Sequence, residues 1–136
     1  MPSSLLSPSV KRWTLAVVCA ATAMLMLDIA VVNTALSRIA EDLHTGLGGL
    51  QWIVNGYTLA LAALILVGGG LGDRYGRRRV FVLGAIGFTA ASVLCAVAVS
   101  VPMLIACRVL QGIAAALMTP GSLAIIEASF DPDDRG

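Results

Sequence analysis

Two long uncharged runs of mostly apolar residues set the pattern of this chain. No charged side chain lies between His44 and Asp73, and none lies between Arg79 and Arg108. A helix needs about 20 apolar residues to cross the hydrocarbon core of a bilayer, and both runs are longer than that. The pattern therefore predicts helices that span a membrane, separated by short polar links.

Four membrane helices account for these runs. The segment from Val80 to Ile126 carries a single charge, at Arg108, and is too long for one span, so it must fold back on itself. The Ser-Val-Pro segment ending at Pro102 marks the break, because proline fits the first turn of a helix, where its missing N–H leaves no hydrogen bond unmade. A kink is expected near Pro120 in the last helix. The predicted helices cover about residues 13–36, 51–70, 80–99 and 101–126.

The composition assigns this pattern to a membrane protein. Hydrophobic residues make up 58% of the 136 residues, charged residues make up 12%, and the mean hydropathy is +0.91. These values exclude an ordinary soluble domain, so the predicted fold class is an all-α membrane protein, with residues 1–136 in one transmembrane domain. Cys19, Cys95 and Cys107 all fall within apolar runs and are interpreted as small packing residues, not as a metal or redox site.

Basic residues are distributed unevenly among the links, and this predicts the orientation of the chain. Arg38 is the only one in the link that contains His44. Short links rich in Lys and Arg stay in the cytoplasm, so the N-terminus is predicted to be cytoplasmic and the His44 link external. A cleaved signal peptide, cut near Ala23, is a competing interpretation, but the apolar run continues well beyond that position. The basic residues predicted to lie inside are Lys11, Arg12, Arg74, Arg77, Arg78, Arg79 and Arg135.

Two ionisable residues, Asp28 and Arg108, fall inside the predicted spans. Each is unfavourable by on the order of 2.5 to 3.5 kcal/mol at the centre of a membrane helix, so each needs a partner or water. Asp28 lies about 22 Å from the inner end of its helix and Arg108 about 10 Å from the outer end of its own, at about 1.5 Å per residue. In a core about 30 Å thick these depths nearly coincide, so the two can pair if their helices are neighbours. The alternative is that Arg108 reaches the headgroups and Asp28 stays neutral.

Further polar residues are expected near the same depth. Asn55 and Tyr57 lie in the first two turns of the second helix. Gln111 shares a helix face with Arg108, because it follows at a spacing of three residues. Together with Asp28, these side chains are predicted to line a polar cavity, which is the candidate functional site.

The densest charge in the chain lies between the second and third predicted helices, from Gly69 to Phe81. Gly72 and Gly76 are expected to let the chain reverse there, because glycine reaches positive φ without steric penalty. On charge alone, the segment is explained equally well as a positive-inside loop with no other role. A nucleic-acid site is disfavoured, because lipid would bury its flanks.

The order of residues in this loop resembles a motif of the Major Facilitator Superfamily. Gly69-x-Leu-Gly-Asp73-Arg-x-Gly76-Arg-Arg78 is similar to the pattern between the second and third helices of that family, with mild departures at Gly72, Arg78 and Phe81. The resemblance implies that Asp73 makes charge and helix-end contacts that help to fix one of the alternating conformations. The loop residues that it implies are Gly69, Asp73, Arg74, Gly76, Arg77 and Arg78.

Two helical segments narrow the resemblance to the fourteen-helix drug/proton antiporters. The segment Leu27–Leu36 resembles their first-helix pattern, with Ala30 in place of the usual threonine and Ser37 in place of proline. The segment Leu104–Ala115 resembles their fourth-helix pattern, whose arginine is implicated in proton coupling. The resemblance adds Asn33 to the polar residues that were placed by depth. The predicted proton-coupling and cavity residues are therefore Asp28, Asn33, Asn55, Tyr57, Arg108 and Gln111.

The resemblance implies a multi-pass transporter of the plasma membrane that exports amphipathic or cationic drugs, driven by the proton gradient and without a bound cofactor. The family is built from six-helix halves with the substrate site between them. The four helices would then be a partial N-terminal transmembrane domain, and the implied partners are lipid, the drug and the remaining helices, with no nucleic acid.

The other hypotheses are a truncated remnant without transport activity, an assembly or regulatory subunit, and a self-associating four-helix exporter. A membrane enzyme fits least, since no paired nucleophile and base, metal cluster or phosphate-binding loop is evident.

Overall fold

The computed structural model describes residues 7–129, and the regular structure of that part is helical. Its four helices are long and apolar enough to cross a membrane, which confirms the predicted fold class. Arg135 and the predicted cytoplasmic N-terminus lie outside the described residues. The helices are α1 Pro8–Asp42, α2 Leu47–Tyr75, α3 Arg77–Ala96 and α4 Val101–Ser129.

α1 extends beyond its predicted apolar core at both ends. It begins at Pro8 because Ser7 caps it: the Ser7 hydroxyl accepts a hydrogen bond from the Val10 N–H at 3.4 Å, and proline suits the first turn. It continues to Asp42, since helical hydrogen bonding does not stop where the apolar run stops. The predicted external link is thereby reduced to residues 43–46, where His44 has a φ of 50°.

A single glycine separates α2 from α3. Gly76 has a φ of 101°, a conformation that residues with a Cβ rarely adopt, and helical residues precede and follow it directly. The predicted loop from Gly69 to Phe81 was therefore too long, and the prediction that Gly72 helps the chain to reverse was wrong. Gly72 lies inside α2, and its carbonyl accepts a hydrogen bond from the Gly76 N–H at 3.0 Å. Helical bonding thus continues up to the turn itself.

The connection between α3 and α4 contains the predicted break. α4 begins at Val101, with Pro102 in its first turn. The Ser100 hydroxyl accepts a hydrogen bond from the Met103 N–H at 3.4 Å, which satisfies one of the donors left open at a helix start. α4 then runs through Pro120 without ending there.

α4 is the central helix of the bundle. It packs along α2 and α3, whereas α1 makes smaller contacts with α4 and α2. Glycines allow this close approach: a Cβ on Gly112 would clash with the Tyr57 carbonyl of α2, and one on Gly84 would lie 2.9 Å from the Ala114 carbonyl of α4. The hydrophobic core consists of Tyr57, Phe81, Phe88, Ala114, Ala115 and Met118.

α1 is the least buried of the four helices. Val18 is its only buried residue in the described part of the chain, and Met26, Leu27 and Val31 are each more than half exposed. A continuous apolar surface of this kind is compatible with lipid or with further helices, but not with water. The contacts that attach α1 to α4 are therefore few, and one of them is ionic.

Candidate functional site

Asp28 and Arg108 form an ion pair inside the membrane-spanning part of the bundle. Arg108 Nη1 donates a hydrogen bond to Asp28 Oδ2 over 2.6 Å. The Asp28 side chain is 14% exposed and the Arg108 side chain is 3% exposed. The structure thus joins the two ionisable residues whose contact the sequence left open. A short charge-assisted hydrogen bond between buried groups is among the stronger polar contacts in proteins.

Gln111 joins this ion pair to α3. Its amide NH2 donates to Asp28 Oδ1 at 3.1 Å and to Ser92 Oγ at 2.7 Å. Its amide oxygen accepts from Arg108 Nη1 at 2.8 Å and from the Cys95 thiol at 3.4 Å. Both hydrogens and both lone pairs of the amide are used, so only one orientation of the amide satisfies all of its partners. One side chain therefore links three helices.

α2 completes the surroundings of the guanidinium group. Arg108 Nε donates to the Ile53 carbonyl at 3.3 Å, and the Tyr57 ring centroid lies 4.4 Å from Arg108 Cζ, within cation–π range. Among the described residues, every buried side-chain nitrogen or oxygen has a hydrogen-bond partner. The alternative in which Arg108 reaches the headgroups is therefore wrong, because its charged end is held in the interior.

Helix geometry explains why these side chains meet. Arg108 and Gln111 lie three residues apart and so share one face of α4. Gly112, next to Gln111, lets α2 approach α4 closely enough for Tyr57 to cover the guanidinium group. Asp28 reaches the same place because α1 packs against α4 at this level. Each of the four helices contributes to the polar site.

Asn33 and Asn55 are not part of this cluster, although the first-helix motif added Asn33 to the predicted cavity and depth added Asn55. Asn33 follows Asp28 by five residues, which is about 140° around a helix, and Asn55 precedes Tyr57 by two, which is about 160°. Both asparagines are exposed. The polar site therefore contains Asp28, Tyr57, Arg108 and Gln111 of the six residues that the sequence placed in it, and the two asparagines lie on other faces.

Sequence reasoning does not identify Ser92 and Cys95. Both are small, uncharged residues in an apolar helix, and Cys95 was interpreted as a packing residue only. The alignment of α3 against α4 could have identified them. When the chain folds back at Pro102, the face of α3 that carries these two residues, three apart, comes opposite Gln111.

A second polar contact lies at the other end of the bundle, at the turn between α2 and α3. Arg77 Nε and Nη2 both donate to Asp73 Oδ1, at 3.2 and 3.1 Å, across Gly76. The Arg77 and Asp73 side chains are 48% and 66% exposed, so this pair by itself adds at most about 1 kcal/mol of stability. Arg74 lies over the Tyr75 ring, 5.6 Å from its centroid.

This turn faces the proline region of α4 across a small cavity. The cavity has a volume of about 190 Å³ and is lined by Asp73 and Arg77 on one side and by Pro120 on the other. Gly69 also lines it, and a Cβ at that position would lie 3.7 Å from the proline ring. Arg78 lies apart from this cavity, in a groove between α1 and α3.

Comparisons with known proteins agree with this architecture. Residues 18–136 match the family model of the Major Facilitator Superfamily. The chain is 51% identical over 128 residues to the "Probable actinorhodin transporter" of Streptomyces coelicolor, an alignment covering 93% of the chain and 22% of the relative. It is 41% identical over 131 residues to the "Puromycin resistance protein pur8" of Streptomyces alboniger, covering 95% of the chain and 26% of the relative. It is 45% identical over 112 residues to the "Drug efflux pump JefA" of Mycobacterium tuberculosis, an alignment covering 82% of the chain and 22% of the relative. The chain thus spans about a quarter of the length of these relatives.

Proposed function

The chain belongs to the Major Facilitator Superfamily, and on that basis we propose that it supplies the first four membrane helices of a drug exporter driven by proton antiport. The observation that carries this proposal is the Asp28 carboxylate, held within the spans by Arg108 and Gln111. Ionisable groups at such depth are unfavourable and characteristically belong to proton or ion pathways. The names of the relatives are those of transporters and resistance proteins, which favours transport over catalysis.

In the proposed mechanism Asp28 is the proton carrier, and protonation breaks a contact because each of its two oxygens already accepts a hydrogen bond. Oδ2 accepts from Arg108 and Oδ1 accepts from Gln111. A proton bound to either oxygen removes the negative charge and displaces one of these donors, which weakens the attachment of α1 to α4. A cationic substrate drawn to the same carboxylate would exclude the proton. Exclusive binding of proton and substrate is the condition for antiport.

The proposed substrates are amphipathic or cationic small molecules. The names of the relatives include actinorhodin and puromycin, and we carry over from them only the class of compound. The proposed location is the plasma membrane, with the N-terminus in the cytoplasm. The orientation is supported by the basic residues near Gly76, at the end of the bundle opposite His44.

A chimera with pur8 tests the proposed function. This chain replaces the matching 131-residue segment of the relative, and inverted membrane vesicles are given a pH gradient without ATP. We expect puromycin uptake that a protonophore abolishes, because the gradient is the only energy source. Unmodified pur8 is the positive control. A chimera present at normal abundance but without gradient-driven uptake would contradict the proposal.

The proposed orientation predicts which links are accessible from each side. In a background lacking native cysteines, His44→Cys should react with a membrane-impermeant maleimide on intact cells, and Tyr75→Cys should react only after the cells are opened. Both positions are exposed in the structure, so burial does not hide either thiol. The reverse labelling pattern would invert the topology.

Asp73→Asn is predicted to reduce transport by the chimera at least about tenfold while leaving its abundance near normal. The pair with Arg77 is exposed and adds little stability, so loss of the charge should act on the conformational cycle and not on folding. Arg38→Ala, which removes the other exposed ion pair, Arg38–Glu41, is the matched control. Unchanged uptake in Asp73→Asn would reduce the turn to a topological anchor.

A further inference from the structure

Cys95 and Cys107 face each other across the α3–α4 interface. Ser92 of α3 is hydrogen-bonded to Gln111 of α4 at 2.7 Å, which fixes the register of these antiparallel helices. Cys95 lies about one turn beyond Ser92 toward the connection between the helices, and Cys107 lies about one turn before Gln111 in the same direction. This register places the two thiols opposite each other at the interface, close enough to interact.

The two thiols lie beside the polar site. Both thiols are free; Cys107 is buried and Cys95 is half-buried. Cys95 also donates a hydrogen bond to Gln111, so the pair borders the residues that hold Asp28. Cys19, the remaining cysteine, lies on the exposed surface of α1.

We propose that Cys95 and Cys107 form a dithiol site for a trivalent arsenical, with the arsenic atom bridging the two sulfurs. An arsenoxide, R–As=O, reacts with two thiols to give R–As(S–Cys)2 and one water. Two S–H bonds and the As=O bond break, and two As–S bonds form. The arsenic keeps its oxidation state, so the step needs neither oxidant nor reductant.

The location selects an uncharged, apolar arsenical over a metal ion. A hydrated cation must lose its water to enter the hydrocarbon region, whereas an aryl arsenoxide partitions into it. Structural zinc needs about four ligands. In the described part of the chain, no group of three or more His, Cys, Asp or Glu side chains is arranged to hold a metal. Two thiols on rigid neighbouring helices are sufficient for arsenic, because the first bond raises the effective concentration of the second thiol.

Occupation of the site would affect the polar cluster directly. The bridging sulfur of Cys95 no longer carries a hydrogen, so the Gln111 oxygen loses one of its two donors. The arsenic bridge would also tie α3 to α4 covalently, one turn away from the contact between Gln111 and Ser92. The bound arsenical would therefore restrain the movement of α3 against α4, next to the residues that hold Arg108.

Phenylarsine oxide and intact-protein mass spectrometry test this site. The 136-residue chain in lipid nanodiscs is treated with the reagent and then with an excess of either 2-mercaptoethanol or 2,3-dimercaptopropanol. We expect one phenylarsenic group per chain with loss of two hydrogens, retained in the monothiol and released by the dithiol. Cys95→Ala and Cys107→Ala should each lower retention in monothiol at least about a hundredfold, because chelation is lost. Cys19→Ala, the matched control, should behave like the native chain.

Three outcomes would overturn the proposal. One is a native chain with no monothiol-resistant adduct, a result that does not depend on whether any variant folds. Another is a resistant adduct that persists in Cys95→Ala or Cys107→Ala. The third is loss of the adduct in Cys19→Ala, which would assign the exposed cysteine to the site. Circular dichroism of each variant checks that its helices are intact before the amounts of resistant adduct are compared.

Discussion

Arg108→Ala is expected to abolish gradient-driven export by the pur8 chimera. The substitution leaves the Asp28 carboxylate buried beside Gln111 without its positive partner. Removing one side of a buried ion pair is destabilising by about 3 to 5 kcal/mol, and the carboxylate avoids that penalty by keeping a proton. A proton that is never released cannot be exchanged for substrate. The measurement is puromycin uptake into inverted vesicles, at an abundance matched by immunoblot.

Asp28→Asn should abolish proton coupling with a smaller loss of stability, because the amide keeps the size of the side chain and still accepts one hydrogen bond. Puromycin binding should weaken as well, because the proposed mechanism gives the substrate and the proton the same carboxylate. The double variant Asp28→Asn with Arg108→Gln is expected to be more stable than the sum of the single effects predicts, since neither charge is left alone. The control is again Arg38→Ala. Arg38 and its partner Glu41 are both mostly exposed, so this substitution should lower the free energy of unfolding by at most about 1 kcal/mol. If either single variant keeps full coupling, the ion pair is structural and the proposed mechanism is wrong.

The 136-residue chain expressed alone is expected to insert into the membrane and yet to export nothing. Four spans do not complete a six-helix half, so there is no second half against which the helices can alternate. The polar site itself should persist, because Arg108 is enclosed within these four helices. Asn33, Asn55 and the apolar surface of α1 remain uncovered, and this favours self-association.

Drug accumulation in a host without its own exporters checks this expectation, with and without a protonophore. The chimera with pur8 is the positive control and the empty vector is the baseline. Chemical cross-linking in the same membranes reports self-association. Protonophore-sensitive export by the chain alone would overturn the proposal that further helices are needed, and would support a self-associating four-helix transporter.

The sequence predicts the four helices well, because the apolar runs are long and the breaks coincide with charges and with Pro102. The family match over residues 18–136 confirms the resemblance inferred from three short motifs. The helix ends were predicted less well. Capping by Ser7 and the positive φ of Gly76 are properties of local backbone hydrogen bonding and conformation, and hydrophobicity does not report them.

The polar site was only partly predictable, for a geometrical reason. Depth along the membrane can be counted from the sequence, and it placed Asp28 and Arg108 at one level. Rotation about the helix axis depends on which neighbour each helix packs against. Depth therefore grouped Asn55 with the ion pair, and the first-helix motif added Asn33, although both lie on other faces. Neither depth nor motif gave a reason to include Ser92 or Cys95.

Pro120 gives the two ends of the bundle different mechanical properties. Because proline lacks an N–H, the Ala116 carbonyl four residues earlier loses its usual helical donor, and a Cβ on Gly68 of α2 would clash with that oxygen. The backbones of the two helices approach each other closely there, beside the cavity lined by Asp73. At the other end, hydrogen bonds and an ion pair clamp the helices through Gln111. Polar side-chain contacts thus hold the helices together at one end of the bundle, and a cavity separates them at the other. We therefore expect a rocking movement to pivot near Arg108 and to open widest at the Gly76 turn.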